Sequence, residues 1–361
     1  MIKDKSIYIK NIYYMLSYAF STLNQGGYES VKAESFDNIH DLMSAILAKG
    51  ISLQLKQGLY REYVLYNQDL NTLRGKINMP GTILNKLSSR KVLNCEYDEL
   101  SENNLFNQIL KSTALLMIRR SEAKEERKAN LRNVMLFFSA VDEIDLKAVK
   151  WTMIRFQRNN RSYRMLISLC QLIVEGMLQT TEDGEYRLAS FVDQEHMERL
   201  YEKFILEYYI QEFPKLSVSS SKIEWAVDDG ERTMLPSMQS DIMISKGSIV
   251  LIIDAKYYTH TLQSYFDTNT IRSNNLYQIF TYVKNKDAEY KSKPHTVSGM
   301  LLYAATDEAI QPDNDYMMSG NKISVKTLDL NREFKDIAGQ LNAIAKEQFE
   351  EGYCITATPY L

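Results

Sequence analysis

Cysteine is scarce in this chain: Cys95, Cys170 and Cys354 are the three in 361 residues, far apart, odd in number and without a CxxC pair. That argues against a disulfide framework. A zinc site lacks ligands as well, because His40, His196, His260 and His295 are equally scattered. No apolar run approaches the ~20 residues of a membrane span. The charged start MIKDKSIYIKNIYYML has no small-residue cleavage site behind a long apolar region. A soluble, cytoplasmic protein with no membrane partner is expected. An excess of basic charge is lacking too, with 43 Lys and Arg against 46 Asp and Glu and a formal net charge of −3. A protein that held DNA unaided would carry a basic footprint. Any DNA contact must therefore be local, or supplied by another subunit. There is no G-x-x-x-x-G-K-S/T loop, which excludes a P-loop motor, and there is no internal repeat, low-complexity tract or long Pro/Gly/Ser linker.

What is present suffices for real cores: 45% apolar residues and 11% aromatic, with 24 Tyr against 2 Trp. The length allows two or three domains, and their boundaries must come from changes in periodicity. Residues 7–20 begin strand-like and become helix-like. Residues 40–55 place Leu42, Ile46, Leu47 and Ile51 at helical spacing. Tyr60 to Tyr66 and Leu73 to Asn78 are β-rich, and short strands punctuated by glycine fit a small barrel or a curved sheet. From Ser101, read as an N-cap, a helix runs to about Arg120. Further helices are expected at about 122–139 and 162–180. A loop follows at Thr180 to Glu185, and then a long amphipathic helix from about Asp193 to Phe213, stopped by Pro214. Strands then alternate with helices, and residues 330–361 close the chain as a helix and tail. The expected architecture is an α+β N-terminal module over 1–100, a helical middle region over 101–184 and an α/β module over 185–361.

The chemistry concentrates in Leu235 to Tyr258. Two β-rich runs, SDIMIS and SIVLIIDAK, flank Lys246-Gly247, read as a two-residue hairpin turn. Strand side chains alternate faces, so Asp254 and Lys256 share one. With Lys246-Gly247 as the loop, residue 245 faces 248 and 241 faces 252. Asp241 is then diagonal to Asp254 on the same face, about 7–8 Å away. Like charges on neighbouring strands repel, and a hydrated Mg²⁺ held by Asp241 and Asp254 supplies a reason for them. It takes oxygen ligands, typically one or two carboxylates with water and phosphate. Lys256 beside them would orient or help deprotonate an attacking water and stabilise charge on phosphate. A lone D-x-K triplet is common and by itself indicates only a charged strand tip. The upstream aspartate on the shared face is what distinguishes this one. Further along, Gln278 and Tyr282 lie four apart on the helix that begins near Asn275, placed to contact a DNA backbone or to order the lysine, and equally to be a core tyrosine and an unremarkable glutamine. On HMERLYEKFILEYY, Leu200, Phe204 and Tyr208 form an apolar stripe edged by Glu198, Glu202 and Glu207. Glu202 is the candidate third carboxylate.

Taken together these pieces resemble the PD-(D/E)XK nuclease superfamily. Asp241, Asp254 and Lys256 match its core, Gln278 and Tyr282 match the Q-x-x-x-Y extension of RecB-like members, and Glu202 matches the glutamate on an opening helix. Ser240 stands where the motif's proline would be. A closer likeness is to the McrC family, the nuclease subunits of McrBC restriction systems. It is carried by IKNIYYMLSYAF, LPSMQSDIMI, IIDAKYY and SNNLYQIFTYV in order from about residue 7 to 330. The N-terminal signature lies outside the nuclease core. The resemblance implies a restriction-endonuclease-like fold for 185–361. It also implies a Mg²⁺-dependent type IV endonuclease whose partner is a McrB-like AAA+ GTPase ring that recognises modified double-stranded DNA. Residues 1–100 would dock on that ring and stimulate GTP hydrolysis. An inert regulatory subunit and a self-sufficient RecB-like nuclease are the competing readings. RFQRNNRSYR interleaves Arg155, Arg158, Arg161 and Arg164 with Phe156 and Tyr163. It suits phosphate contact or docking on an acidic partner, and equally a solvated loop entering the next helix. KEERKANLR mixes both signs and reads as an exposed helix.

Overall fold

The strand-to-helix change near the N-terminus appears in the computed structural model as a short strand at Ile7–Tyr8 leading into α1, Ile9–Ala19. The structure describes residues 3–349 apart from 5–6, 21–27, 29–30, 32–33, 35, 181–185, 190, 259–261, 266–267, 307 and 309, so most of the expected loop at Thr180 to Glu185 and the tail after 349 lie outside the described residues. The chain forms two units, Met1–Leu42 with Ala189–Leu361, and Met43–Leu188. The boundary falls within helix α2, Ile39–Gln57.

The Met43–Leu188 unit continues with β1, Glu62–Leu70, β2, Lys76–Ile77, α3, Met79–Leu87, and β3, Leu93–Ser101. The three strands form an antiparallel sheet in the order β1-β3-β2, so the glycine-punctuated stretch is an open sheet and not a barrel. Gly75 permits the tight approach of β2, since its φ is +66° and a Cβ there would come within 2.5 Å of the Glu96 carbonyl oxygen. Helices α4, Leu105–Arg120, α5, Glu125–Met135, and α6, Tyr163–Met177, complete the unit. Ser101 ends β3 and does not cap α4. The cap is Asn104, whose side chain accepts from the backbone N–H of Asn107. Its amide also donates to the Tyr60 carbonyl at 2.8 Å, a long-range bond invisible to a local cap rule. Helix α6 buries Leu166, Cys170, Ile173 and Met177 along one stripe.

Residues after 188 build the other unit around α7, Gln194–Glu212, capped by Asp193 and stopped at Pro214. The strands are β4, Ser217–Ser219, β5, Ile242–Lys246, and β6, Ile249–Lys256. Helix α8, Ser273–Glu289, follows, then β7, Thr296–Ala304, β8, Asn314–Met318, β9, Asn321–Leu328, and α9, Phe334–Phe349. They form a mixed six-stranded sheet in the order β8-β9-β7-β6-β5-β4, with β6-β7 and β7-β9 parallel and the other pairs antiparallel. Val250, Leu251, Ile252 and Ile253 of β6 are fully buried, each contributing ~1.5–3 kcal/mol by leaving water. That anchoring lets the same strand carry two charged residues at its end. Ile279 and Val283 of α8 join Val250, Ile252 and Val297 in one core cluster, so by the two-residue strand period Asp254 and Lys256 lie on the face that α8 covers.

Helix α1 belongs to this unit. Tyr14 stacks on Phe334 with ring centroids 4.2 Å apart, Tyr18 packs edge-on to Phe204, and the Asn11 amide donates to the carbonyls of Leu330 and Arg332 at 2.8 and 2.7 Å. The observed division at 188/189 lies close to the expected boundary at 184, whereas the expected boundary near 100 has no counterpart and a division at 42/43 stands instead. The N-terminal signature does not stand apart from the 185–361 region, because its tyrosines pack on α7 and α9. No helix among the described residues is long and apolar enough to cross a membrane.

Candidate active site

The hairpin β5–β6 brings Asp241, Asp254 and Lys256 together, in a register that differs from the expected one. Lys246 pairs with Ile249 and Ile242 with Ile253, so Gly247-Ser248 is the loop and not Lys246-Gly247. Gly247 has φ +62° at the first loop position, where a II′-type two-residue turn requires glycine. Continued one residue beyond β5, this register sets Asp241 directly across from Asp254, at the ~5 Å spacing of opposed strand residues instead of diagonal to it.

Asp254 is 1% exposed, and Lys256 is buried beside it with Nζ 3.0 Å from Oδ2. The ion pair lies outside hydrogen-bond geometry, and both carboxylate oxygens of Asp254 are buried without a hydrogen-bond donor. Asp241 Oδ2 accepts from the backbone N–H of Ala255 at 3.0 Å, which ties the loop before β5 to β6. Burial pushes the Asp254 carboxyl up to about 7, with Lys256 opposing the rise and Asp241 adding to it. Asp241 is likewise raised by burial. Lys256 is held well above the ordinary lysine range, because the attraction of Asp254 and Asp241 outweighs its burial. The lysine is firmly cationic.

Glu202, the candidate from α7, joins this cluster electrostatically. Burial first, and then the charge of Asp241, push its carboxyl up to about 8, and Asp254 and Lys256 also act on it. Glu198, one turn earlier, is raised by burial and feels Lys256 and Asp241. Gln278 and Tyr282 are joined to each other, the Gln278 amide donating to the Tyr282 hydroxyl at 3.1 Å. This confirms their shared helix face and does not itself tie them to the carboxylates.

Four further residues had no role assigned from the sequence. Tyr303 on β7 is the register neighbour of Lys256, and Asp254 and Lys256 both act on its hydroxyl. Buried Asn275 donates to the Tyr303 hydroxyl at 2.9 Å and accepts from Tyr258 at 3.4 Å, while the Arg272 guanidinium sits 4.6 Å from the Tyr258 ring centroid. A buried amide opening a helix one turn before Gln278 was the available signal, but only the parallel pairing of β6 with β7 reveals its partner.

Among the described residues, no group of three or more His, Cys, Asp and Glu side chains converges as a ready-made metal cage. Mg²⁺ does not need one, since it usually keeps several waters beside one or two carboxylates. Two opposed aspartates, one of them buried with both oxygens lacking a donor, fit that requirement.

Comparison with known proteins agrees with this arrangement of elements. The chain is 28% identical over 344 residues to the Type IV methyl-directed restriction enzyme EcoKMcrBC of Escherichia coli K12, covering 94% of this chain and 97% of that protein. Its fold is similar to a chain in the half-complex from a tetradecameric assembly of Thermococcus gammatolerans McrB AAA+ hexamers with bound McrC. That match has a TM-score of 0.52 and 19% identity, over 93% of this chain and 76% of that one. The family described as McrBC 5-methylcytosine restriction system component matches residues 3–304, a span that runs from α1 through the hairpin to Tyr303, and the chain belongs to that family.

Proposed function

We propose that this chain is the DNA-cleaving subunit of a modification-dependent, type IV McrBC system, a PD-(D/E)XK nuclease that hydrolyses phosphodiester bonds with Mg²⁺. The single observation that carries the reading is the opposed pair Asp241 and Asp254 beside Lys256, with both oxygens of buried Asp254 left without a donor. Lys256 balances the charge of only one of the two aspartates, burying a second carboxylate is costly, and a site for a divalent cation accounts for it. Asp241 and Asp254 would hold the ion. When bound, it supplies charge stabilisation at phosphate and makes water more acidic.

The chain's own residues divide the remaining work. Lys256, 3.0 Å from Asp254, is placed to stabilise negative charge developing on the phosphate. Glu202, its carboxyl pushed up to about 8, is the group able to take a proton from water once it has ionised, at mildly alkaline pH. Gln278 and Tyr282 offer an amide and a phenol to the DNA backbone. Asn275 and Tyr303 act through Lys256 as positioning residues. A McrB-like AAA+ GTPase ring is the proposed partner, recognising methylated double-stranded DNA while this chain stimulates GTP hydrolysis. The relative from Thermococcus gammatolerans, seen bound to McrB AAA+ hexamers, supports that pairing.

Plasmid cleavage tests the reading, with wild type and Asp254→Ala, Mg²⁺, and the presence or absence of the ring and GTP. Cutting of modified plasmid is expected only in the complete mixture. It is expected to fall by at least ~10³-fold in the mutant while partner binding and GTP hydrolysis persist. Cutting by the isolated chain would favour a self-sufficient nuclease. No cutting, with GTP hydrolysis still stimulated, would favour a regulatory subunit.

A further inference from the structure

Residues 146–174 contain Lys147, Lys150, Arg155, Arg158, Arg161 and Arg164 and no Asp or Glu, in a chain with 46 acidic residues in 361. The four arginines are all exposed, and among the described residues none of them makes an ion pair. Arginines elsewhere in the fold are held by carboxylates: Arg61 by Glu102, Arg90 by Asp69, Arg119 by Glu143, Arg199 by Glu195 and Arg232 by Glu224. Four arginines without an ion pair thus fall within one decapeptide. Arg161 and Arg164 also flank the start of α6, the helix end that disfavours cations unless an anion is present.

The backbone beneath them is rigidly held. Phe156 packs edge-on to Phe106, with centroids 5.8 Å apart. The Gln157 backbone N–H donates to the buried Asn160 side chain at 2.7 Å. Tyr163, fully buried, donates to Asn107 at 2.7 Å and accepts from the Tyr60 backbone N–H at 2.8 Å. The aromatic residues that alternate with the arginines in the sequence therefore face inward and are not platforms for stacking bases. Gln157, Asn159 and Ser162 remain exposed between the arginines. Protein-docking surfaces set arginine beside aromatic anchors, and positions 155–164 expose no aromatic or aliphatic side chain beside their arginines. Arg with Gln, Asn and Ser is the side-chain set that contacts a phosphate backbone.

We propose that residues 155–164 form a sequence-independent contact for the phosphate backbone of duplex DNA. The inference rests on the reading of this chain as a DNA-acting subunit. It supplies the local basic surface that a net charge of −3 leaves to be found.

The test is binding of an unmodified duplex by the full chain in EDTA, read by fluorescence anisotropy from ~50 to ~200 mM salt. Wild type is compared with the combined variant Arg155→Gln, Arg158→Gln, Arg161→Gln, Arg164→Gln. The salt slope of log K is expected to shrink by ~2–4, and affinity near 100 mM salt to fall ~10–100-fold. Thermal stability should be unchanged or slightly higher, as the variant removes unpaired cations at a helix start. Equal slopes for the two proteins would overturn the inference alone. Unchanged DNA binding with loss of association to the AAA+ ring would make the segment a protein-docking face and overturn it as well. Wild type without affinity for the duplex would overturn the inference, while the DNA-acting reading stands or falls separately on cleavage by the complete mixture.

Discussion

At the scale of single residues, the site gathers groups whose charged forms oppose one another. Glu202 shows the consequence. Its carboxyl rises from 4.5 to about 8 in the fold, so between those values the folded chain keeps a proton that the unfolded chain has released. Stability from this group is therefore full at low pH and lost as pH climbs through that window. Glu202→Gln, neutral throughout, is expected to be more thermally stable than wild type at pH 8 and above in EDTA. The margin is ~1 kcal/mol, after allowing for solvent screening at a part-exposed position. Near pH 4.5 the two should unfold together. A margin that does not grow with pH would show that Glu202 is not held in that buried environment. Of this cluster, Asp241, Asp254 and Lys256 were legible as a same-face pattern, because a strand's two-residue period is a local property. Asn275 and Tyr303 were not, because their hydrogen bond joins residues 28 apart.

Among the elements, α8 and β7 depend on a close approach that one residue permits. A Cβ at Gly299 would stand 2.7 Å from Val283 Cγ2 and 2.8 Å from Ile279 Cγ1. Gly299→Ala must push α8 away from the sheet, at ~1–3 kcal/mol for overpacking, and α8 carries Asn275, Gln278 and Tyr282. Urea denaturation is expected to show that loss, with cleavage by the complete complex falling alongside. An unchanged midpoint would mean that the helix has room to spare. Helices at this scale were largely readable: α2, α6, α7 and α8 appear where apolar spacing puts them. Their ends and turns were less so. Ser101 looked like a cap from local sequence, but the Tyr60 carbonyl selects Asn104. Lys246-Gly247 looked like a turn, but the positive φ of Gly247 puts the glycine first and Ser248 second.

For the whole molecule, the division into units assigns α1 to the unit that carries the aspartates. Removal of residues 1–20 would uncover Phe204, Tyr208 and Phe334, against which Tyr14 and Tyr18 pack. Limited proteolysis of that truncation is expected to cut first within 189–349 and to spare Met43–Leu188, which keeps its own hydrogen bonds among Tyr60, Asn104, Asn107 and Tyr163. Preferential cutting of 43–188 would contradict the assignment.

The sequence by itself determined the order of helices and strands, the chemistry concentrated at Asp241, Asp254 and Lys256, and the likeness to a restriction-system family. Each rests on residue type and short spacing, which survive without knowledge of the fold. The tertiary structure decided which residues belong to which unit, and that Asp241 ties back to β6 through the Ala255 N–H beside Asp254. It decided equally that Lys256 lies 3.0 Å from Asp254, and that arginines at 155–164 point outward while their aromatic neighbours point in. These follow from hydrogen bonds, burial and pairing between distant segments, and no local pattern encodes where a distant segment will lie.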